Sequence, residues 1–232
     1  YTGMSAAAAD SIIETVKKKP DALLCFATGS TPVGTYKALM EKTAEQNIDL
    51  HKCFCIGLDE WIGVPPEKPG TCHYILYEQL FKPLGISPGQ VHLFDGMNPD
   101  IDGECNKMNE LIEGKGGVDA MLVGIGVNGH IGFNEPGVDT SLKAHDQSLH
   151  GSTLASGQHY FNEPTAISRG ITLGMAQVMG AKKLILIANG KNKAAIMKQA
   201  LQGPVTNAVP ASYVQQCENA IILMDREAAT EL

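Results

Sequence analysis

Three short polar clusters in this chain carry the side chains that could do chemistry. The first is the turn 28–31, the second is the acidic pair Asp59 and Glu60, and the third is the loop 128–135. Each cluster directly follows an apolar run that is short enough to be a buried β-strand. Because a parallel sheet brings the carboxyl ends of its strands over one crevice, we expect the three clusters to converge on one site.

The loop 128–135 carries the most specific of these patterns. Glycines at positions 124, 126, 129 and 132 let the backbone turn sharply and approach a ligand closely. A neutral histidine can move a proton between two oxygens, and a nearby carboxylate fixes its tautomer. We therefore predict that His130 and Glu135 form a proton-handling pair, with Asn128 beside them. The alternative is a tight connection with a solvated histidine, but this loop also holds a carboxylate and two asparagines.

The acidic pair ends the apolar run 56–58. A carboxylate at the end of a buried strand can have a raised pKa and serve as a general base near neutral pH. The alternative is an acid in a surface turn. We predict that one of Asp59 and Glu60 is the general base and the other the surface acid, and the sequence does not distinguish between them.

The turn 28–31 leads into a predicted helix, with Pro32 suited to its first position. Free N–H groups and the dipole at a helix start favour an anion, typically phosphate. An ordinary capped helix start explains this turn equally well. It is not a Walker loop, because no Gly-Lys-Thr follows. Lys193 begins the last long helix and either reaches the same phosphate or is a solvated lysine.

The composition limits the class of protein. The chain has 232 residues, 44% of them hydrophobic, and a formal net charge of -7, which predicts one domain over residues 1–232 and argues against a nucleic-acid partner. No apolar run approaches the roughly 20 residues of a membrane span, so no membrane partner is expected. The cysteines and the other histidines lack metal-ligand spacing, so we expect no metal site. Reduced and mostly buried thiols indicate a cytoplasmic protein.

Apolar runs and helical patterns alternate along the chain. Such alternation predicts an α/β fold with a largely parallel sheet. Residues 138–168 are polar and irregular, and a stretch of this length indicates a functional loop or lid. Strands are predicted at residues 22–27, 52–58, 91–94, 120–123, 183–188 and 220–224, and helices at residues 5–19, 32–46, 71–84, 102–114 and 191–201.

Five segments that cover nearly the whole chain carry a family resemblance. They are residues 27–32, 58–65, 126–137, 171–174 and 189–193. In this order they resemble the signature segments of the glucosamine-6-phosphate deaminase/isomerase family, and the run Gly-His-Ile-Gly-Phe-Asn-Glu-Pro is the most specific. The resemblance implies a Rossmann-like, doubly wound sheet with helices on both faces. It also implies conversion of a 2-amino-2-deoxyhexose 6-phosphate to a ketohexose 6-phosphate and ammonia, without a cofactor.

Matched residue by residue, the resemblance implies a role for each candidate. Asp59 would be the base that moves a proton between C2 and C1, His130 would open the sugar ring by acid catalysis, and Glu135 would orient and tune His130. The enzyme classes that the resemblance implies are isomerase, deaminase and hydrolase, and the implied pathway is amino sugar metabolism. The substrate phosphate would be held by Gly29, Ser30, Thr31 and Lys193.

Asn128 departs from the family pattern, because many glucosamine enzymes have Asp at this position. A neutral amide cannot stabilise an imidazolium as a carboxylate can, so the proton balance at His130 should differ. Asn at this position, together with residues 19–22, 69–72 and 169–174, is similar to the galactosamine-6-phosphate deaminase/isomerase branch. Since some glucosamine enzymes also carry Asn, both sugars stay open as substrates.

The predicted lid also departs from the family pattern. The phosphate-binding arginine of the family lid has no clear counterpart, and His159 and Arg169 are the candidates for its place. The basic residues that bind an allosteric activator in hexameric members are not evident in residues 141–149. We therefore expect a non-allosteric monomer or small homo-oligomer that binds a small-molecule sugar phosphate.

Two other functions share part of this pattern. A 6-phosphogluconolactonase-like hydrolase has the same fold and a Gly-His loop, but lacks Phe-Asn-Glu-Pro after the histidine. A non-catalytic sugar-phosphate sensor usually lacks the catalytic residues and adjoins a basic helix-turn-helix. The Phe-Asn-Glu-Pro run of this chain argues against the hydrolase, and the presence of Asp59, His130 and Glu135 argues against the sensor.

Overall fold

A computed structural model describes all 232 residues and contains nine strands and seven α-helices. The strands are β1 (Leu23–Phe26), β2 (Phe54–Gly57), β3 (Asp59–Trp61), β4 (Val91–His92), β5 (Ala120–Gly124), β6 (His145–Ser148), β7 (Arg169–Thr172), β8 (Leu184–Ala188) and β9 (Ala220–Met224). The helices are α1 (Thr2–Lys18), α2 (Val33–Glu45), α3 (Cys72–Leu76), α4 (Ile101–Gly114), α5 (Gly151–Gln158), α6 (Met175–Met179) and α7 (Ala194–Gln202). None of these helices combines the length and apolar character that a membrane span requires.

Six strands form one parallel sheet in the order β4-β2-β1-β5-β8-β9. From β1 the chain adds strands towards β4, and from β5 it adds them towards β9. The strand order therefore reverses between β1 and β5, and the loops that follow these two strands separate. The predicted α/β fold with a mostly parallel sheet is confirmed.

Helices cover both faces of the central sheet, and each strand sends alternate side chains to the two faces. Leu24 and Phe26 of β1 pack with α1, α2 and residues 77–81. Leu23 and Cys25 pack on the opposite face with α4, α6 and α7. This double burial explains why the central strands are nearly continuous apolar runs.

A second sheet of three antiparallel strands in the order β3-β7-β6 was not predicted. β7 lies in the centre, so that Asp59 of β3 and His145 of β6 both pair with Thr172. The polar sequence of β6 lacks the alternation that indicates a strand. Hydrogen bonds to β7 hold this segment as a strand, although its side-chain pattern does not predict one.

Two predicted segments differ from the structure. Residues 138–168 are not irregular throughout, because they contain β6 and the helix α5. The predicted helix 71–84 is divided into α3 and a π-helical turn, Tyr77–Phe81. Pro83 follows this turn, and its missing N–H prevents further continuation of the helix.

Candidate functional site

A cleft of about 850 Å³, including its open mouth, lies where the strand order of the central sheet reverses. The three polar clusters predicted from the sequence meet here. The cleft is lined by the turn after β1, Asp59 after β2, the loop after β5 with His130, Lys193 before α7, and part of α5.

The turn 28–31 lies at the amino end of α2 and forms one wall of the cleft. Gly29 has a φ of +116°, a conformation that favours glycine. Thr31 donates a hydrogen bond of 2.6 Å from Oγ1 to Asn189 Oδ1, which ties the turn to the segment after β8. Lys193 donates from Nζ to the carbonyl oxygen of Ile125 at 2.6 Å. Burial lowers the pKa of Lys193, so an anion in the cleft would favour its charged form.

Asp59 lies at the cleft and carries the carboxyl group with the properties of a general base. Burial raises its pKa to about 6, although a hydrogen bond from Cys72 and the nearby His130 oppose this rise. The hydrogen bond joins Cys72 Sγ to Asp59 Oδ1 at 3.4 Å. A carboxyl group with this pKa is ionised at neutral pH and still basic enough to accept a proton.

Glu60 has a different environment from Asp59, because its side chain is buried away from the cleft. Its carboxylate accepts hydrogen bonds from the backbone N–H groups of Trp61 at 2.7 Å, Cys72 at 3.1 Å and His73 at 2.7 Å. Burial raises its pKa to about 7 against these hydrogen bonds. Glu60 therefore holds the start of α3, and the structure separates the two roles that the sequence left open.

His130 and Glu135 are in contact, with 3.4 Å between Nδ1 and Oε2. Thr153 Oγ1 of α5 lies 3.1 Å from the same Nδ1. Asn128 donates from Nδ2 to Glu135 Oε2 at 2.8 Å and accepts a hydrogen bond of 3.2 Å from the backbone N–H of His130. Asn128 and Glu135 lie behind the imidazole and do not line the cleft.

The Glu135 carboxylate is the strongest acid of this group. Burial alone would raise its pKa, but hydrogen bonds with His130 and Thr153, and one from the backbone N–H of His150, lower it to about 2. The hydrogen bond from His150 measures 3.1 Å. Glu135 therefore stays ionised and can stabilise positive charge on His130.

The imidazole of His130 lies directly against the backbone of Gly126. A Cβ atom at Gly126 would be 2.3 Å from His130 Nε2 and 2.4 Å from Cε1. A side chain at this position would overlap the ring, so glycine is required by close approach.

The segment 138–168 contributes one side of the cleft through Thr153, Ser156, Gly157 and Tyr160. It packs against Trp61, whose ring centroid is 6.1 Å from that of Phe161. The Tyr160 hydroxyl lies against Gly29, where a Cβ atom would be 3.1 Å from it, and burial raises the pKa of Tyr160. The segment is thus in direct contact with the turn 28–31.

The two candidates for a basic residue of the lid are not brought to the cleft. His159 is exposed, and its ring donates from Nδ1 to the carbonyl oxygen of Ala155 at 2.9 Å. Arg169 is half exposed and forms an ion pair with Asp146. Instead the cleft includes Cys72, Thr153 and Tyr160, which were not predicted as site residues.

Comparison with known proteins extends over the whole chain. Residues 2–223 match the model of the family described as Glucosamine-6-phosphate isomerases/6-phosphogluconolactonase. A glucosamine-6-phosphate deaminase of Halothermothrix orenii is 40% identical over 233 residues, covering 100% of this chain and 97% of the relative. One from Thermoanaerobacter sp. (strain X514) is 38% identical over 231 residues, covering 99% of this chain and 91% of the relative. The family resemblance inferred from the motifs is confirmed.

Solved structures give the same result. A monomeric glucosamine-6-phosphate deaminase is 32% identical with a TM-score of 0.96, covering 100% of this chain and 97% of that chain. A 6-phosphogluconolactonase from Trypanosoma brucei is 21% identical with a TM-score of 0.80. The match covers 100% of this chain and 95% of that chain and shows a shared fold. The prediction of a hydrolase is wrong, since the relatives of higher identity are named deaminases.

The contact between His130 and Gly126 gives a direct test of the site geometry. In Gly126→Ala the new methyl group should displace the imidazole and break its contact with Glu135, because the two groups would overlap. The ¹H–¹⁵N spectrum of the histidine rings should show a changed tautomer balance for His130. Gly124→Ala is the matched control, since its Cβ would meet no atom within 4 Å. Unchanged His130 signals in Gly126→Ala would contradict the described geometry.

Proposed function

This chain belongs to the Glucosamine-6-phosphate isomerases/6-phosphogluconolactonase family, and from this premise we propose that it converts a 2-amino-2-deoxyhexose 6-phosphate to a ketohexose 6-phosphate and ammonia. The observation that carries the proposal is the Asp59 carboxyl group, whose pKa of about 6 suits a base, in a cleft with His130 and an anion-binding turn. The relatives named glucosamine-6-phosphate deaminases support the same reaction.

Asp59 is the base of the proposed isomerisation. In the open-chain sugar it removes the proton from C2 while the C1 carbonyl oxygen takes up a proton given up by the C2 ammonium group, and it then returns the first proton to C1 of the resulting enolamine. Because C2 carries the amino group, this transfer leaves a C2 imine. Water adds to the imine, ammonia leaves, and the C2 ketone remains, so that atoms and charge balance.

His130 acts before this step by opening the sugar ring, which requires a proton on the ring oxygen. Glu135 orients the imidazole and stays ionised, so it stabilises the charged form of His130. Asn128 holds Glu135 from the other side through a hydrogen bond of 2.8 Å. As a neutral amide it adds no second negative charge, which leaves Glu135 as the counter-charge in this group.

The phosphate of the substrate lies in this proposal on the turn 28–31. Backbone N–H groups of Gly29, Ser30 and Thr31 and the amino end of α2 stabilise negative charge there. The Lys193 ammonium, which also lines the cleft, supplies a positive charge. The segment 138–168 is the lid, and its Tyr160 hydroxyl is the group that donates to the phosphate.

Several finer properties are part of the same proposal. The substrate is the glucosamine or the galactosamine 6-phosphate, and no cofactor takes part. The protein works in the cytoplasm, where its six free cysteines stay reduced, as a non-allosteric monomer or small homo-oligomer. The relative described as a monomeric deaminase supports the first of these two assembly states.

Ammonia release tests the proposed function. Glucosamine 6-phosphate and galactosamine 6-phosphate are supplied in parallel at neutral pH, and ammonia and ketohexose 6-phosphate are measured together. Equal amounts of the two products from either sugar support the proposal, and the faster sugar identifies the substrate. Absence of ammonia with both sugars would contradict it.

Replacement of the base tests the role of Asp59. Asp59→Asn should lower kcat by about 10²–10⁴, because the amide cannot accept the C2 proton. Binding of the sugar phosphate, measured by calorimetry, should stay within a few-fold of the wild type. In the wild type kcat should fall as the pH drops through about 6, where Asp59 becomes protonated. Near-normal turnover by Asp59→Asn would remove Asp59 from the mechanism.

Tyr160 and His159 give a matched pair of lid variants. Tyr160→Phe should raise KM about ten-fold with little change in kcat, since one hydrogen bond to the phosphate is lost. His159→Ala should leave both constants unchanged, because this side chain points away from the cleft. Steady-state kinetics checks both variants, and the reverse pattern would assign the phosphate contact to His159.

A further inference from the structure

We propose that Cys72 is a positioning residue that orients the Asp59 carboxylate through a chain of hydrogen bonds from Thr28 to Cys72 to Asp59. This inference rests on the proposed function in taking Asp59 as the base of the reaction. It assigns a role to a cysteine that the sequence pattern alone presents as one of six buried or partly buried thiols.

The geometry defines a direction along this chain. Thr28 donates from Oγ1 to Cys72 Sγ at 3.2 Å, and Cys72 Sγ lies 3.4 Å from Asp59 Oδ1. Because the sulfur accepts a hydrogen bond from the Thr28 hydroxyl, its own S–H group is directed at the Asp59 carboxylate. The Asp59 carboxylate accepts no other hydrogen bond from the protein, so the thiol is its single directional contact.

The position of the sulfur is set by the backbone around it. Cys72 is the first residue of α3, and its N–H donates to the buried Glu60 carboxylate at 3.1 Å. The preceding residue, Thr71, caps the helix by accepting from the backbone N–H of Tyr74 at 3.1 Å. Glu60 is adjacent to Asp59 in β3, so this short strand places the Asp59 carboxylate directly and the Cys72 thiol through the hydrogen bond to Glu60.

The thiol stays protonated in this position. A cysteine at a helix start often has a lowered pKa and reacts as a thiolate. Here burial raises the pKa of Cys72 well above its usual range, and the nearby Asp59 and Glu60 raise it further. Cys72 is therefore a hydrogen-bond donor at neutral pH.

A thiol is a weaker donor than a hydroxyl, and this weakness suits a base. A strong donor would stabilise the Asp59 carboxylate and reduce its tendency to accept a proton. The S–H group orients the carboxylate at a smaller cost to its basicity. The other titratable groups that interact with Asp59 are Cys25 of β1, Tyr36 of α2, the adjacent Glu60, His130 of the loop after β5, and Tyr160 of the lid.

Direct titration of Asp59 tests the inference without using turnover. The protein is labelled with ¹³C at the aspartate carboxyl carbons, and the Asp59 signal is assigned by its loss in Asp59→Asn. Its pKa should fall by about one pH unit in Cys72→Ser, which has a stronger donor, and rise by about the same amount in Cys72→Ala, which has none. Equal pKa values in all three proteins would overturn the role of Cys72.

Two further variants control this experiment. Thr28→Val keeps the shape of the side chain but removes the donor to Sγ, so the pKa of Asp59 should rise by less than in Cys72→Ala. Cys217→Ser changes a thiol that lies away from the cleft and donates a hydrogen bond to the Tyr213 carbonyl oxygen. It should leave the pKa of Asp59 unchanged. A shift in Cys217→Ser equal to that in Cys72→Ser would also overturn the inference, because it would show an effect unrelated to contact.

The pH dependence of ammonia release then separates this inference from the proposed function. If both are correct, the acidic limb of kcat moves with the Asp59 pKa in each Cys72 variant. If the pKa values differ as expected but no protein releases ammonia, the proposed function fails and the positioning role stands. If ammonia release is normal and the pKa values are equal, the positioning role fails alone.

Discussion

The reversal of strand order between β1 and β5 is the constraint on which the rest of the structure depends. Two adjacent parallel strands whose connections leave in opposite directions cannot both be covered by the same crossover helix. A crevice remains above their carboxyl ends, and the backbone groups of both following loops face it. The strands on either side place Asp59 and Lys193 at the same edge. The polar groups of the cleft are thereby held on segments anchored to a rigid sheet.

Three carboxyl groups near this edge show how environment determines role. Asp59 is half-buried at the cleft with one weak donor and has a pKa of about 6. Glu60, its neighbour in β3, has three backbone donors and holds a helix start. Glu135 contacts a histidine, and its pKa is about 2. Residue type alone distinguishes none of these roles, whereas burial and the identity of the partner separate all three.

The central sheet could be predicted because each of its strands has a clear apolar pattern. The convergence of residues 28–31, Asp59 and His130 followed from parallel-sheet geometry. The choice between Asp59 and Glu60 could not be made from the residues alone, since it depends on strand alternation in β3, which was not recognised. Resemblance to a family suggested Asp59, and the structure places Asp59 at the cleft and buries Glu60 away from it.

The lid residues were beyond sequence analysis for a related reason. His159 and Tyr160 directly follow the end of α5, so which of the two side chains faces the cleft depends on how this helix is placed. This helix lies in a polar stretch without apolar periodicity, and it is fixed by packing on Trp61 rather than by its own pattern. Cys72 reaches Asp59 only because Glu60 holds the start of α3 there. Such contacts exist only in the assembled fold.

The small antiparallel sheet connects the groups that the central sheet leaves separate. Thr172 of β7 pairs with Asp59 on one side and with His145 on the other. Its Oγ1 accepts a hydrogen bond of 3.2 Å from the backbone N–H of Phe133 and donates one of 3.3 Å to the carbonyl oxygen of Leu58. One buried threonine therefore links the strand of Asp59, the loop of His130 and the first strand of the lid segment. A shift of the lid that moved β7 would strain the hydrogen bonds at both proposed catalytic groups, whereas a hinge between β6 and α5 would leave them intact. The hydrogen bonds of Thr172 therefore fix the small sheet to the loop of His130 and to the end of β2.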